Sequence, residues 1–263
     1  MQDLVLRDDT GHVARLRLNN GARFNPLSLE MIDALADAFR LIASDDRIRA
    51  VILAAEGKAF SVGHDLRQMQ RARADDDAGR RAYEALFARC AGMMQMIPDL
   101  PQPVIAEVQG VATAAGCQLV ASCDLAIAAD TARFGVNGVD IGLFCATPMV
   151  ALTRAVPPRA AFEMLVTGDF IDATRARDLG LVNRVAAPAD LPAQAMHLAQ
   201  QIAAKLPAAV RMGKRAFHDQ LRLGLSEAYH HAGGTICENL MLPDTDEGIA
   251  AFLEKRRPRW AGD

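Results

Sequence analysis

The sequence predicts an α/β fold in which helices cover both faces of a largely parallel sheet. Residues 50–55, 103–108 and 124–129 are apolar runs of strand length. Such runs, separated by helical patterns, are typical of parallel strands that are buried on both faces. With 263 residues, 51% of them hydrophobic, the chain can form a large core. We therefore expect one large α/β domain, or such a domain with an appended subdomain.

A β-hairpin and an amphipathic helix are predicted before the first of these strands. Residues 4–18 alternate apolar and polar side chains on both sides of a turn at residues 9–11, which favours a hairpin with one buried face. Ser28 can cap the helix that follows the break at Asn25-Pro26. The apolar positions of that helix form one stripe: Met31, Ile32, Leu35, Phe39 and Ile42.

The rest of the chain alternates strands with helices and then becomes mainly helical. Residues 67–81 are strongly polar, which indicates a solvated loop or helix surface, or a mobile flap over a site. From Ala146 onward, amphipathic helical patterns dominate, and residues 252–260 are strongly basic. We find no internal repeat and no linker long enough to separate independent domains.

Charge and cysteine content argue against several classes of partner. Twenty-nine basic residues against 32 acidic ones give a net charge of −3, so there is no electrostatic basis for binding nucleic acid or an anionic membrane. The five cysteines contain no Cys-x-x-Cys pair, which predicts a reducing compartment with neither disulfides nor a metal site. We find no secretory signal and no membrane-spanning apolar run. We therefore expect a soluble, cytoplasmic protein.

One stretch, GVATAAGCQL at residues 110–119, reads as a strand, a tight turn and a buried helix. It could be a dinucleotide site with Asp130 as the ribose-binding acid, although two of the three glycines of that pattern are alanine here. It could instead present an unpaired N–H of the helix start to an oxyanion, with a second N–H from residues 58–66, whose turn contains Gly63. Close packing of the helix on the sheet is the third interpretation.

Four stretches carry a family resemblance: KAFSVGHDL, GVATAAGCQLVASCDLAIA, ARFGVNGVDIGL and AFLEKRRPRW. Together, in this order and over nearly the whole chain, they resemble the enoyl-CoA hydratase/isomerase (crotonase) superfamily. The sequences of three motifs are most similar to those of one subgroup of that family: GHDL, ATAAGCQLVASCDLA and IGLFCATP. The resemblance implies a crotonase-like spiral of ββα turns over residues 1–200. It also implies a helical C-terminal region over residues 201–263 that completes the site and the oligomer interface.

The resemblance further implies a substrate and an assembly. The substrate would be an acyl-CoA thioester, so coenzyme A enters with the substrate and no separate cofactor is expected. The partners would be other copies of the chain, in a homotrimer or a dimer of trimers. The two N–H groups of the oxyanion hole would belong to His64 and Ala115, with Gly63 and Gly116 keeping the approach open.

Coenzyme A itself would follow a path given by the same resemblance. Its pantetheine and adenine would lie along four residues: Arg23, Phe24, Asp65 and Leu66. Lys255 and Arg256 of the basic tail would reach its phosphates, with plain solubilising charge as the alternative.

The sequence departs from the family at the two positions that handle protons. Hydratases of this family use two glutamates, and the corresponding positions here are Gln118 and Gly138. Neither can exchange a proton, and positioned acid–base groups contribute about 10²–10⁴-fold each. We therefore expect binding and polarisation of the thioester, and poor hydration of a simple enoyl-CoA.

Several residues could replace the missing function, each with a structural alternative. Asp140 could handle protons or cap a local turn, and Cys145 could line the acyl pocket or belong to the core. The imidazole of His64 could point into the cleft or make a structural hydrogen bond. Asn137 and Gln118 could orient a water molecule or a carboxylate without titrating.

Three functions follow from these observations. The first is an acyl-CoA lyase or isomerase that forms an oxyanion-stabilised enolate. The second is decarboxylation of a malonyl-type acyl-CoA, which needs the oxyanion hole but no strong base. The third is a non-catalytic acyl-CoA-binding subunit.

Overall fold

The computed structural model describes residues 3–261. The strands are β1 (Val5–Thr10), β2 (Val13–Leu18), β3 (Ala50–Ala55), β4 (Ala59–Ser61), β5 (Val104–Val108), β6 (Val111–Thr113), β7 (Leu125–Ala129), β8 (Arg133–Gly135), β9 (Ile171–Asp172) and β10 (Arg184–Ala186). The helices are α1 (Leu29–Ala43), α2 (Leu66–Ala72), α3 (Arg80–Asp99), α4 (Ala115–Ser122), α5 (Ala146–Ala155), α6 (Pro158–Thr167), α7 (Ala173–Leu179), α8 (Leu191–Ala203), α9 (Pro207–Gln220), α10 (Leu225–Leu240) and α11 (Pro243–Leu253). Of these helices, none is both long and apolar enough to cross a membrane.

The strands form two sheets that are built from repeated strand pairs. A six-stranded sheet has the order β1-β2-β3-β5-β7-β10, and a four-stranded sheet has the order β4-β6-β8-β9. In each pair, β3–β4, β5–β6 and β7–β8, the first strand joins the large sheet and the second joins the small one. Helices follow each pair. This is the spiral of ββα turns that the family resemblance implied, so the expected fold class is confirmed.

The large sheet is parallel apart from the antiparallel hairpin β1–β2. Alternate residues of β3 point to opposite faces, as they must in a strand. Ala50 and Ile52 pack under α8, while Val51 and Leu53 belong to the main core. Both faces of the sheet are therefore covered, as the continuous apolar runs predicted.

The first predicted elements form as expected. The hairpin turns at Gly11, which has a positive φ of 57°, a conformation that glycine adopts without strain. The hydroxyl of Ser28 accepts a hydrogen bond from the backbone N–H of Met31 at 3.3 Å and so caps α1. The predicted apolar stripe of α1 is fully buried.

Two other predictions concern the polar segment 67–81 and the expected division after residue 200. The polar segment 67–81 covers most of α2, an exposed connection and the first residues of α3, so the interpretation as a solvated surface describes it. The expected division after residue 200 falls inside α8, which packs on the large sheet. The C-terminal helices α9–α11 begin only after α8 ends at Ala203. The division of the chain into two domains stays a prediction.

Candidate active site

Two turns of the small sheet lie against each other. Strands β4 and β6 are parallel neighbours, so the turns that follow them, at Gly63–His64 and at Ala114–Ala115, leave the same edge. A Cβ built on Gly63 would lie 3.0 Å from the Cβ of Ala114 and 3.1 Å from the backbone nitrogen of Ala115. The two segments that the sequence predicts as N–H donors are therefore in direct contact.

The residue just before α4, Ala114, has a strained backbone conformation. Ala114 has φ 49° and ψ −121°, a region that costs a non-glycine residue about 1–3 kcal/mol. Its own N–H donates to the carbonyl of Gly135 at 3.0 Å. Ala115 is the first residue of α4, so its N–H has no acceptor within the helix. Among the hydrogen bonds of residues 3–261, the N–H groups of Ala115 and His64 donate to no other residue.

Gly116 has a packing role in the structure, while its predicted role of keeping a substrate path open stays a prediction. A Cβ at Gly116 would overlap the carbonyl oxygen of Ser61 in β4. The small residues at the start of α4 thus allow the helix to approach β4, as the close-packing interpretation predicts. The same approach brings Ala115 next to Gly63, so the packing interpretation and the donor interpretation are compatible.

The dinucleotide interpretation does not match this backbone. Gly110 is separated from α4 by the short strand β6, whereas a dinucleotide turn joins a strand directly to a helix. A Cβ at Gly110 would overlap the carbonyl oxygen of Lys58. This glycine therefore serves contact between neighbouring segments of the protein.

The loop before α1 is bound to the segment after β3. The side-chain amide of Asn25, buried and in a left-handed conformation with φ 52°, donates to the carbonyls of Glu56 and Ala59 at 2.8 and 2.9 Å. The N–H of Leu27 donates to the carbonyl of Gly63 at 2.7 Å. From the sequence alone, Asn25 was interpreted only as a chain break. Its residue type was a usable signal, because asparagine tolerates a left-handed conformation better than most residues.

Of the residues expected along the coenzyme A path, two are hydrogen-bonded to each other and two are exposed apolar side chains. Asp65 is buried, and its carboxylate caps α2 through the N–H of Arg67 at 2.9 Å. It also accepts from the guanidinium of Arg23 at 2.9 Å. Its observed contacts are therefore those of a structural residue, and its place along the coenzyme A path stays a prediction. Phe24 and Leu66 are about half exposed.

Gln118 is buried one turn into α4, with only 5% of its surface exposed. Its Oε1 has no hydrogen-bond partner in the described part of the chain. A buried carboxamide with an open acceptor is unusual, because buried polar atoms are normally paired. It can orient a polar group but cannot take up a proton.

At Gly138, where the family resemblance implies the second glutamate, the backbone leaves no room for a side chain. Gly138 lies in a 3₁₀ turn, Asn137–Ile141, and its carbonyl accepts from the N–H of Leu143 at 2.9 Å. A Cβ at Gly138 would lie 2.5 Å from the Leu143 carbonyl oxygen and 2.9 Å from the Sγ of Cys145. A side chain cannot be placed here without moving this turn.

The 3₁₀ turn carries a short hydrogen-bond chain toward α4. The hydroxyl of Thr113 donates to Oδ1 of Asn137 at 2.7 Å, and the amide of Asn137 donates to Asp140 at 3.4 Å. Asp140 is exposed, and a Cβ built on Gly168 would lie 2.8 Å from its carboxylate. Asp140 therefore lies against the end of α6. Thr113 was not predicted from the sequence, because a lone threonine in an apolar strand gives little signal of a site.

Cys145 and the tail residues complete the set of candidates. Cys145 is buried in the main core, where burial raises the pKa of its thiol, so its surroundings are those of a structural cysteine. Lys255 is exposed near the C-terminal end of α11. Arg256 pairs with Glu247 at 2.6 Å and with Glu254 at 2.5 Å. The first of these pairs holds the pKa of Glu247 at about 2.

No metal cluster accompanies these residues. Within residues 3–261, no group of three or more histidine, cysteine, aspartate or glutamate side chains is arranged to hold a metal ion.

The paired turns and the spiral of ββα units define a crotonase-type α/β protein. A model of the family described as enoyl-CoA hydratase/isomerase matches residues 8–263. The chain therefore belongs to the enoyl-CoA hydratase/isomerase family.

Several relatives cover almost the whole chain. Human enoyl-CoA hydratase domain-containing protein 3, named as mitochondrial, is 42% identical over 249 residues, which are 95% of this chain and 80% of the relative. A putative enoyl-CoA hydratase of Thermus thermophilus is 36% identical and covered in full, over 97% of this chain. The subgroup indicated by GHDL, ATAAGCQLVASCDLA and IGLFCATP is that of domain-containing protein 3, and these matches confirm it.

Two crystal structures share the fold closely. That of an enoyl-CoA hydratase of Mycobacterium smegmatis is 53% identical, with a TM-score of 0.94 over 98% of this chain and 99% of the other. That of human enoyl-Coenzyme A hydratase domain-containing protein 3 is 41% identical, with a TM-score of 0.93 over 98% of this chain and all of the other.

The expectation of a cytoplasmic location is wrong. The zebrafish, frog, rat and human relatives are all named as mitochondrial proteins. The unpaired cysteines argue only against an oxidising compartment. They do not distinguish one reducing compartment from another, so they could not support that choice.

Proposed function

We propose that the protein binds acyl-CoA thioesters and stabilises their enolates between the backbone N–H groups of His64 and Ala115. The observation that carries this proposal is the contact between the two turns, with Gly63 beside the nitrogen of Ala115. The strain at Ala114 supports it, because such strain persists where a site needs a fixed backbone geometry. Each donor of an oxyanion hole contributes about 3 kcal/mol to stabilising the developing charge.

In this proposal the enzyme is a poor hydratase of simple enoyl-CoA substrates. The buried amide of Gln118 cannot act as a base toward water, and the closed turn at Gly138 leaves no room for an acid. Asn137 and Gln118 orient polar groups of the substrate or of a water molecule, and Cys145 forms the apolar wall behind Gly138.

Coenzyme A would lie on the surface beside α2 in the same proposal. Phe24 and Leu66 are exposed apolar side chains suited to the pantetheine, and Arg23 is a half-exposed cation suited to a phosphate. Of the two tail cations that the resemblance indicates, Lys255 is the more available to a phosphate, since Arg256 is paired with two glutamates.

The direct test measures binding and hydration separately. We expect acyl-CoA esters to bind in calorimetry, and crotonyl-CoA and longer enoyl-CoAs to be hydrated at least about 100-fold more slowly than a two-glutamate family member hydrates them. Gln118→Glu should raise hydration by about 10-fold or more because it supplies a base, whereas Gln95→Glu, on the exposed side of α3, should not. Efficient hydration by the unaltered protein would refute the assignment of Gln118 and Gly138.

Decarboxylation of a malonyl-type acyl-CoA is a second candidate. Loss of CO₂ generates the same enolate without a base, so the closed turn at Gly138 does not hinder it. Release of CO₂ from a panel of carboxyacyl-CoAs would support this reaction, and its absence across the panel would exclude it. Binding without turnover of any substrate would leave the chain as a non-catalytic acyl-CoA-binding subunit.

We also propose that the protein assembles as a homotrimer or a dimer of trimers. Its C-terminal helices carry large exposed apolar side chains, which favour burial against another surface. They include Phe217, Leu221, Leu225, Tyr229, Ile236, Leu240, Met241, Phe252 and Leu253.

A further inference from the structure

The ring of His64 is held in one orientation. Its Nδ1 lies 3.1 Å from the carbonyl oxygen of Leu27, and its edge packs against the ring of Phe87 in α3, with centroids 5.4 Å apart and planes at 83°. A carbonyl oxygen can only accept a hydrogen bond, so Nδ1 carries the proton. In the neutral ring, Nε2 is then left with a free lone pair.

That lone pair has no partner. Nε2 of His64 is buried and makes no hydrogen bond within the described residues. A buried polar atom without a partner costs free energy, and in native proteins such atoms call for a functional or structural explanation. A base that waits for a proton from a bound substrate is one such explanation, because the partner arrives only with the substrate.

The surroundings keep the imidazole neutral. Burial lowers the pKa of His64, and the bond to Leu27 offsets part of this effect. Phe87 and the Leu27 carbonyl are the uncharged groups that face it from neighbouring elements. On its own segment, the carboxylate of Asp65 is directed to the start of α2 and to Arg23.

We infer that Nε2 of His64 accepts the α-proton of the bound acyl-CoA thioester. This inference rests on the proposed function, since the same residue would hold the thioester oxygen through its backbone N–H. The Cα–H bond breaks, its electron pair enters the enolate, and the proton forms a new N–H bond at Nε2. The imidazolium exchanges its Nε2 proton with a water molecule and then donates the exchanged proton to the substrate carbon, which restores the Cα–H bond and the neutral ring.

The test follows exchange of α-protons in D₂O. We expect the full-length protein to wash deuterium into the α-carbon of butyryl-, hexanoyl- or octanoyl-CoA, measured by NMR. His64→Asn keeps the backbone N–H and places an amide N–H near Leu27, but it removes the base. It should lower the exchange rate by about 100-fold or more while changing thioester affinity in calorimetry by less than about 3-fold.

A matched control exists elsewhere in the chain. His12 also has its Nδ1 bonded to a backbone carbonyl, that of Arg47 at 2.8 Å, but it is exposed in the first hairpin. His12→Asn should leave the exchange rate unchanged. In the unaltered protein, exchange should persist below pH 6.5, the ordinary pKa of histidine, and decline only below the lowered pKa of His64.

The outcomes separate this inference from the proposed function. Equal exchange rates for His64→Asn and the unaltered protein would refute the inference while leaving the oxyanion hole intact. Thioester binding without any exchange would refute it as well. Failure of all three thioesters to bind would instead refute the proposed function, and the inference with it.

Discussion

Glycines 116 and 138 lack side chains for local reasons that the sequence does not reveal. At both positions the space that a Cβ needs is taken by a carbonyl oxygen, from Ser61 and from Leu143 respectively. The family resemblance pointed to Gly138 as a lost glutamate. The structure adds that the turn around Gly138 is closed, so a side chain at this position would require the turn to move.

At the residue scale, Gly116→Ala should weaken the protein and its site together. The added methyl group overlaps the backbone of Ser61, which cannot move without displacing β4. We expect the free energy of unfolding in denaturant to fall by about 2 kcal/mol or more. Thioester binding should weaken as well, because the two turns are pushed apart.

The control for this substitution is Gly92→Ala in α3. A Cβ at Gly92 meets no atom within 4 Å, and alanine is favoured over glycine inside a helix by about 0.5–1 kcal/mol. This variant should therefore be slightly stabilised. A Gly116→Ala protein as stable as Gly92→Ala would contradict the packing role of Gly116.

At the scale of elements, α9 is attached to the core by a buried cation. The Nζ of Lys214 donates to the carbonyls of Ile97 and Gln102 at 2.8 and 2.9 Å and to the carboxylate of Asp124 at 2.7 Å. Asp124 also bonds to His218, one turn further along α9, at 2.9 Å. These contacts attach α9 to the C-terminal end of α3 and to the segments just before β5 and β7 of the large sheet. No role was predicted from the sequence for any of these residues.

Lys214→Met should therefore detach α9 from this anchor. The change leaves two carbonyls and part of a buried carboxylate without their donor, and breaking a buried ion pair typically costs about 3–5 kcal/mol. We expect a loss near the lower value, because Asp124 keeps His218 and the N–H of Val104. The measurement is equilibrium unfolding in urea.

An exposed lysine provides the comparison. Lys205→Met, just before α9, should change the free energy of unfolding by no more than about 0.5 kcal/mol. If both lysine variants were equally stable, the anchor would contribute nothing to folding.

Elements were predictable in proportion to their length and apolar content. Strands β3, β5 and β7 and helix α1 were foreseen, because burial on both faces or on one stripe imposes a visible pattern. Strands β4, β6 and β8 have three residues each, too few to show a period. They form the small sheet from which both turns of the site emerge, so residue patterns alone could not assemble the site.

At the scale of the whole molecule, the apolar surface of the C-terminal helices predicts self-association. Tyr229 in α10 is 75% exposed. If it lies in the interface between copies, Tyr229→Asp places a charge there and should shift the protein toward monomers in analytical ultracentrifugation. The expected direction follows because burying an unpaired charge is costly.

Leu41→Asp is the matched substitution on another surface. Leu41 in α1 is 64% exposed and lies outside the C-terminal helices. It should leave the assembly unchanged. A Tyr229→Asp protein with unaltered mass at low micromolar concentration would argue against α10 as the assembly surface.

Residue patterns and short motifs were enough to predict the fold class and the family, and the family resemblance led to the expectation that Gln118 and Gly138 replace two glutamates. All three depend on residues that are close together in the chain. The three-dimensional contacts were needed to show which small residues serve packing, that Asp65 is a helix cap, and that Nε2 of His64 has no partner among the described residues. These properties depend on contacts between segments that are far apart in the chain. Such contacts exist only when the two sheets bring β4, β6 and the segment before α1 together.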